Sequence, residues 1–198
     1  MAGTRSNRNA IGRHGQRHER ERDVQEYWEK ANTFESFLET APKNRELWQD
    51  LFERARIPED VARRARALRH PWKLLVLSEA WCGDAVNTVP LVARLAAATP
   101  GLALRILARD EHPDLMDAHL TGTSRSIPVV MALDAGFVEH GWWGPRPAEL
   151  QQWFYEVGRQ IPKEERYRVI RGWYARDHGI STLNEVVELL EQADGELG

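Results

Sequence analysis

The only cysteine of the chain, Cys82, lies in the run Glu79-Ala80-Trp81-Cys82-Gly83-Asp84-Ala85. The apolar residues 74–77 before this run predict a buried strand, and the Ala- and Val-rich residues 86–98 after it predict a helix. A thiol at a strand-to-helix turn lies near the positive end of the helix dipole and near unpaired backbone N–H groups. This position favours the thiolate, the form that attacks disulfides and other electrophiles. The sequence therefore predicts an exposed, reactive thiol at Cys82.

The neighbours of the thiol leave some alternatives open. Asp84 would cap the helix and also repel a thiolate, so we expect a milder acidification of Cys82 than in a dithiol site. Asp84 could instead accept the thiol proton, although helix capping is the preferred interpretation. Cys82 has a structural alternative as a small buried apolar residue. Trp81 is interpreted as a partly exposed wall of the site, with core packing as its alternative.

The composition of the chain limits the number of domains and the classes of partner and site that it can have. A chain of 198 residues with 42 % apolar residues fits one decorated domain or two small ones, and its net charge of −3 favours neither a nucleic-acid nor a membrane partner. One cysteine allows no internal disulfide and no cysteine-based zinc site. We find no dinucleotide or P-loop motif, no apolar run of membrane-spanning length and no secretory signal. We expect a cytoplasmic protein without metal or cofactor.

The apolar periodicity divides the chain into four parts: a disordered basic tail (1–16), a helical N-terminal extension (17–70), a central domain (71–160) and a C-terminal helical extension packed on it (161–198). The central part is predicted as strands 72–77, 102–108, 127–133 and 137–142 with helices 83–98, 114–119 and 146–159. Helices are also predicted at 17–31, 44–56, 59–69, 163–176 and 182–193. Continuous apolar strands joined by a helix imply a parallel pair, and the short link at 134–136 predicts a β-hairpin.

Together these features resemble the thioredoxin superfamily over residues 72–160. The resemblance rests on the element order, the Trp-Cys-Gly turn, a proline in the following helix, an Ile-Pro step before a strand, and two later glycines (Pro90, Ile127-Pro128, Gly136 and Gly144). It implies an α/β thioredoxin-like fold, with a central mixed sheet flanked by helices and with helical extensions at both ends.

The resemblance also implies a site. Pro128 would follow a cis peptide bond that places the backbone of Ile127 beside Cys82, where an extended substrate could pair. Cys82 and Asp84 would then be the catalytic residues, while Trp81, Gly83, Ile127 and Pro128 would bind substrate.

Departures from the family pattern are equally informative. Ala85 stands where thioredoxins carry the second cysteine, Asp84 replaces the usual proline, and Val76 replaces an aspartate that the family often buries. The chain therefore resembles a monothiol Trp-Cys-Gly-Asp branch. Its implied activity is thiol–disulfide exchange in cell redox homeostasis, as a monothiol disulfide oxidoreductase. An external thiol would resolve the mixed disulfide, and a protein disulfide or a low-molecular-weight thiol would be the partner.

A different class of function stays open. The fold could be a non-catalytic protein-binding module, with a groove edged by Trp81, Ile127 and Trp142, and the amphipathic extensions leave homo-oligomerisation open. Trp142-Trp143 is interpreted as one core residue with one exposed neighbour. A thiol peroxidase ranks lower, because the Thr-x-x-Cys pattern is missing. His14 and His18 are spaced as a helical metal pair, but we find no third ligand and favour solvated side chains.

Overall fold

The structure is a computed structural model, and it describes residues 23–40 and 43–198. The predicted basic tail, the predicted start of the first helix at residue 17 and the His14–His18 pair lie outside these residues. In the described part the chain is helical at 23–30 (α1), and the remaining α-helices are Phe34–Thr40 (α2), Arg45–Arg54 (α3), Glu59–Arg66 (α4), Gly83–Ala98 (α5), Pro113–Asp117 (α6), Ala148–Glu156 (α7), Lys163–Asp177 (α8) and Ile180–Glu196 (α9). Short 3₁₀ turns cover Arg109–Glu111 and Gly158–Gln160.

Four strands form one mixed sheet: Trp72–Ser78 (β1), Leu102–Ala108 (β2), Val129–Leu133 (β3) and Glu139–Trp143 (β4). Their order across the sheet is β2-β1-β3-β4. Strand β1 pairs in parallel with β2 and antiparallel with β3, and β4 pairs antiparallel with β3. The predicted parallel pair and the predicted hairpin are therefore both confirmed.

The two central strands, β1 and β3, consist almost wholly of buried residues, because helices cover both faces of the sheet there. Helix α5 makes the crossover from β1 to β2 and buries most of its length, including Pro90 within the helix. The N-terminal end of α5 therefore lies directly after the carboxyl end of β1, which is where Cys82 is found.

The helices before β1 cover one side and one edge of this sheet. Asn32 forms a two-bond bridge with Ile106 of the edge strand β2, with N···O distances of 2.9 and 2.8 Å. Helix α3 packs on α5 through Trp48, which is fully buried. These contacts leave less of the β2 edge open to another chain.

The C-terminal helix α9 packs against α4, α5 and β4. Its buried stripe repeats at the helical spacing that the sequence shows (Leu183, Val186, Val187 and Leu190). The helices before and after the sheet thus contact each other as well as the central strands.

Some elements differ from the sequence prediction. Helix α2 was not predicted, although Phe34, Phe37 and Leu38 are all buried at helical spacing. Helix α4 ends at Arg66 instead of residue 69, and Pro58 is its N-cap residue. Strand β4 begins at Glu139 instead of residue 137, because Phe137 has a φ of 65° and ends the turn.

Candidate functional site

Cys82 is the N-cap residue of α5, with extended backbone angles of φ −77° and ψ 121°. Its N–H donates to the Glu79 carbonyl at 3.0 Å, and its own carbonyl accepts the first helical bond from Val86 at 3.0 Å. The backbone N–H groups of Asp84 and Ala85 face the sulfur. The predicted place of the thiol, at a strand-to-helix turn among free N–H groups, is confirmed.

The Ile127-Pro128 loop lies beside this thiol, as the resemblance implies. The peptide bond before Pro128 is cis, and the Cys82 Sγ–H donates to the Ile127 carbonyl with an Sγ···O distance of 3.5 Å. Ile127 and Pro128 are both buried. Trp81 is 50 % exposed and Gly83 is exposed, so these two residues form the open side of the site.

The sulfur itself is buried, which corrects the prediction of an exposed, acidified thiol. Cys82 is 8 % exposed, and burial raises its pKa above the ordinary value although the two backbone N–H groups and Arg146 act in the opposite direction. Desolvation disfavours the charged form of any group that loses contact with water. In the resting state the thiol is therefore protonated and held by the Ile127 carbonyl.

Asp84 also lies in an environment that the sequence did not indicate. It is 9 % exposed, and its carboxylate pairs with the Arg146 guanidinium at 2.6 Å and accepts a hydrogen bond from the Tyr174 hydroxyl at 3.1 Å. Asp84 does lie in the first turn of α5, where a carboxylate is favourable, but both of its oxygens are engaged by these two side chains. Burial raises the pKa of Asp84, and the Arg146 guanidinium and the Tyr174 hydroxyl oppose that shift.

Arg146 is held in place by several contacts of its own. It follows strand β4 and the cis Gly144-Pro145 step, donates to the Gln151 side chain at 2.9 Å, and stacks over the Phe154 ring at 4.3 Å. Tyr174, on α8, is 5 % exposed. Sequence reasoning missed both residues, because no local pattern links positions 62 and 90 residues away to Asp84.

Helix α3 supports the turn from the other side. The Ala80 carbonyl, two residues before Cys82, accepts hydrogen bonds from the Asn44 side chain at 3.1 Å and from the Trp48 indole N–H at 3.3 Å. The sequence predicted this helix but not that it holds the turn. The apolar face of α3 indicated that the helix packs on the core. The sequence does not show which group accepts a hydrogen bond from a buried indole.

The rim of the site is built from an exposed aromatic ring and a fixed cation. The Arg109 guanidinium lies over the Trp81 ring at 5.1 Å and donates to the Arg125 carbonyl at 3.0 Å. Arg109 thereby connects Trp81 to the loop that leads into Pro128. At the next strand, Trp143 is buried and donates to Glu185 at 2.6 Å, while Trp142 is half-buried.

The described residues contain neither a cluster of metal-binding side chains nor a membrane-spanning helix. Within 23–40 and 43–198, no three His, Cys, Asp or Glu side chains cluster closely enough to hold a metal ion. In the same part of the chain, none of the helices combines the length and the apolar character needed to cross a bilayer.

A sequence profile of the family described as Thioredoxin matches residues 31–165, which is more than half of the chain and includes Cys82, Ile127 and Pro128. The chain belongs to this thioredoxin family. The match begins before α2 and ends just inside α8, so Tyr174 and α9 lie beyond it. A search of curated proteins gives no match.

Two solved structures are similar to this thioredoxin-family chain. One is a protein of unknown function from Pseudomonas aeruginosa, 18 % identical, with a TM-score of 0.70 over 85 % of this chain and 97 % of that one. The other is an HIV epitope-scaffold, 17 % identical, with a TM-score of 0.68 over the same shares of the two chains. At these identities the likeness shows the fold alone. The α/β thioredoxin-like fold implied by the sequence is thus confirmed.

Proposed function

We propose that this protein carries out thiol–disulfide exchange in cell redox homeostasis, with Cys82 as its single nucleophile and an external thiol as the resolving group. The observation that carries the proposal is the 3.5 Å contact between the Cys82 sulfur and the Ile127 carbonyl, beside a cis-proline loop and at the start of α5. The Cys82 thiol, the N-terminal end of α5 and the proline loop that would face a substrate meet at this point.

The exchange has two balanced steps. The Cys82 thiolate, having lost its proton to solvent, attacks one sulfur of a disulfide, so that a Cys82–substrate disulfide forms and the other substrate sulfur leaves as a thiolate. A low-molecular-weight thiolate then attacks the substrate sulfur of this mixed disulfide. Cys82 is released as a thiolate and takes up a proton, and the substrate leaves as a mixed disulfide with the small thiol. In this cycle one substrate sulfur is released as a thiol, while the other forms a disulfide with the external thiol; a second external thiol would complete the reduction of the substrate.

Described residues around the sulfur suit a monothiol cycle. Ala85 occupies the helical position where a second thiol would have to be, and it is buried. Trp81 and Gly83 are exposed beside Cys82, and they would contact the incoming disulfide. The substrate would be a protein disulfide or a small disulfide in a reducing, cytoplasmic setting, where external thiols are abundant.

The raised pKa of Cys82 gives the proposal a distinct pH signature. Only the thiolate attacks, so the rate should follow the ionised fraction and increase about tenfold per pH unit below the pKa. For free cysteine this rise ends near pH 8.5, whereas for Cys82 it should continue to a higher pH. The protein should therefore react slowly at neutral pH.

The test is to incubate the protein with glutathione disulfide between pH 6 and pH 10 and to measure the adduct by intact mass. We expect one glutathione per chain, formed faster at higher pH and removed by a small thiol. Cys82→Ser, which removes the only thiol of the chain, is the matched blank. If the wild type forms no adduct at any pH at which it is folded, the exchange proposal is wrong.

The burial of the thiol favours a second candidate, a non-catalytic protein-binding module. A sulfur that is 8 % exposed beside a tryptophan that is 50 % exposed would also suit a surface that binds a partner through Trp81 while Cys82 only packs. In that case Cys82→Ser would keep partner binding and Trp81→Ala would lose it. The exchange proposal expects Cys82→Ser to abolish adduct formation with every disulfide.

A further inference from the structure

The buried ion pair between Asp84 and Arg146 lies two residues from the nucleophile, and the match to the thioredoxin family does not explain it. Its N···O distance is 2.6 Å, and the two side chains are 11 % and 12 % exposed. Burying two charges is costly unless their geometry is good and further hydrogen bonds complete it. Here the Tyr174 hydroxyl donates to Asp84 and the Arg146 guanidinium donates to Gln151, although the buried Nε of Arg146 has no hydrogen-bond partner among the described residues.

Both members of the pair act on the Cys82 sulfur. Burial is the main cause of the raised pKa of Cys82; the Asp84 charge adds to it, and the Arg146 charge opposes it with a smaller effect. The other titratable group that faces this site is Tyr174 of α8, whose hydroxyl is bound to Asp84. Two further charged groups lie on the rim and have partners of their own. Arg109 stacks on Trp81 and donates to Asp110 and the Arg125 carbonyl, while Glu79 accepts the Asp110 N–H.

Other side chains hold both members of the pair in place. The Tyr174 hydroxyl holds one carboxylate oxygen of Asp84 and Arg146 holds the other. Arg146 is in turn fixed by the Phe154 ring and by Gln151. The carboxylate next to the nucleophile is therefore neutralised by a cation that cannot move away.

We propose that Arg146 is a positioning residue for the nucleophile: it neutralises Asp84 in place, so that Cys82 can carry a negative charge when it attacks. This inference rests on the proposed function, because it assigns a role to the ion pair in that same exchange. It concerns a cation 64 residues from the cysteine in sequence, supplied by the loop between β4 and α7.

The test measures the pH dependence of Cys82 alkylation by iodoacetamide. Asp84→Asn keeps the side-chain shape and leaves Arg146 as an unbalanced cation, so the profile should move to lower pH by about one unit and alkylation at pH 7 should become about tenfold faster. Arg146→Gln removes the cation, so the profile should move to higher pH by a similar amount. Arg146→Lys keeps the charge and should stay close to the wild type.

Arg166→Gln is the matched control for Arg146→Gln. Arg166 stacks over the same Phe154 ring at 5.7 Å and donates to the Gly158 carbonyl, without an ion pair to Asp84. Its loss should disturb the packing on Phe154 and leave the alkylation profile of Cys82 unchanged. Circular dichroism of each variant confirms that the compared proteins are folded, and the isosteric Asp84→Asn keeps the test valid if Arg146→Gln does not fold.

The outcomes separate this inference from the proposed function, because iodoacetamide reports the ionisation of the thiol and needs no disulfide. Opposite shifts in Asp84→Asn and Arg146→Gln support the role of the pair, even if the wild type forms no mixed disulfide. Superimposable profiles for the wild type and folded Asp84→Asn overturn it, even if the wild type exchanges with glutathione disulfide. A shift in Arg166→Gln equal to that in Arg146→Gln also overturns it.

Discussion

At the scale of single residues, Gly144 shows how closely the proline loop of the site is packed. A Cβ at this position would lie 2.1 Å from the Pro128 carbonyl oxygen and 3.1 Å from its carbon, and the backbone φ of 130° is one that side chains rarely adopt. Gly144→Ala should therefore lower the free energy of unfolding by about 2–3 kcal/mol, and Tm by roughly 5–10 °C. Thermal unfolding followed by circular dichroism measures this loss.

Gly83 provides the contrasting control at the same site. A Cβ there meets no atom within 4 Å, and the residue begins α5, where alanine is a better helix former than glycine. Gly83→Ala should leave Tm unchanged or raise it slightly. If Gly144→Ala were as stable as Gly83→Ala, the conclusion that Gly144 packs closely against the Pro128 backbone would be wrong.

At the scale of elements, helix α3 holds the turn that carries the thiol. Trp48 is fully buried, and its indole N–H donates to the Ala80 carbonyl. Trp48→Phe removes that donor and leaves a small void, which should cost about 1–3 kcal/mol of stability. Because the turn then loses one of its two side-chain supports, we also expect it to open locally more often and Cys82 to be alkylated faster at a given pH.

Trp28→Phe is the matched control, because Trp28 is also a buried tryptophan of the N-terminal helices. Its ring contacts Phe137 and Arg105 instead of the Ala80 turn. It should lower stability by a comparable amount and leave the alkylation rate of Cys82 in the folded protein unchanged. Equal alkylation rates in the two variants would show that the Trp48 hydrogen bond does not control access to the sulfur.

The elements that the sequence predicted are those whose patterns are local. The apolar strand before Cys82, the crossover helix after it and the link at 134–136 each carry their signal in consecutive residues, so the parallel pair and the hairpin followed from them. Helix α2 was missed because its apolar face consists of only three residues in seven. The cis bond at Pro128 was accessible only through the family resemblance.

The electrostatic environment of the site was not accessible from the sequence. Asp84 was interpreted as a helix cap because an acidic residue in the first turn of a helix is favourable there. Its burial depends on Arg146 and Tyr174, which other elements deliver from distant parts of the chain. The same long-range packing buries Cys82, and so it reversed the expected direction of the pKa shift of the thiol.

At the scale of the whole molecule, side-chain contacts join a helix before the sheet to a helix after it. Arg64 of α4 makes a two-pronged ion pair with Glu191 of α9, at 2.9 and 2.6 Å, and a further bond to Asn184 at 2.8 Å. These contacts join a helix that precedes the sheet in sequence to a helix that follows it. Helices α4 and α9 therefore stabilise each other across these contacts.

A buried carboxylate, Asp194 of α9, makes the second connection and gives stability a pH dependence. It accepts hydrogen bonds from the backbone N–H groups of Arg69 and His70 at 3.0 and 3.1 Å, and from the Trp72 indole at 3.2 Å. Although burial alone would raise the pKa of Asp194, these hydrogen bonds and the Arg69 and His70 side chains hold it well below its ordinary range. Asp194 therefore stays ionised in the folded protein at pH values where it takes up a proton in the unfolded chain.

Asp194→Asn should consequently destabilise the protein by about 2–3 kcal/mol at pH 7, because an amide replaces one charged acceptor oxygen with a donor. A carboxylate whose pKa is depressed by folding contributes its full stability above the unfolded value of about 3.9, and this contribution declines as the pH falls from there toward the folded value. The stability gap between wild type and Asp194→Asn should thus shrink as the pH falls below 4. Urea unfolding at each pH measures the gap, and Glu188→Gln, an exposed change on the same helix, should show almost none. A gap that grew as the pH fell below 4 would mean that Asp194 is not held ionised by the segment before β1.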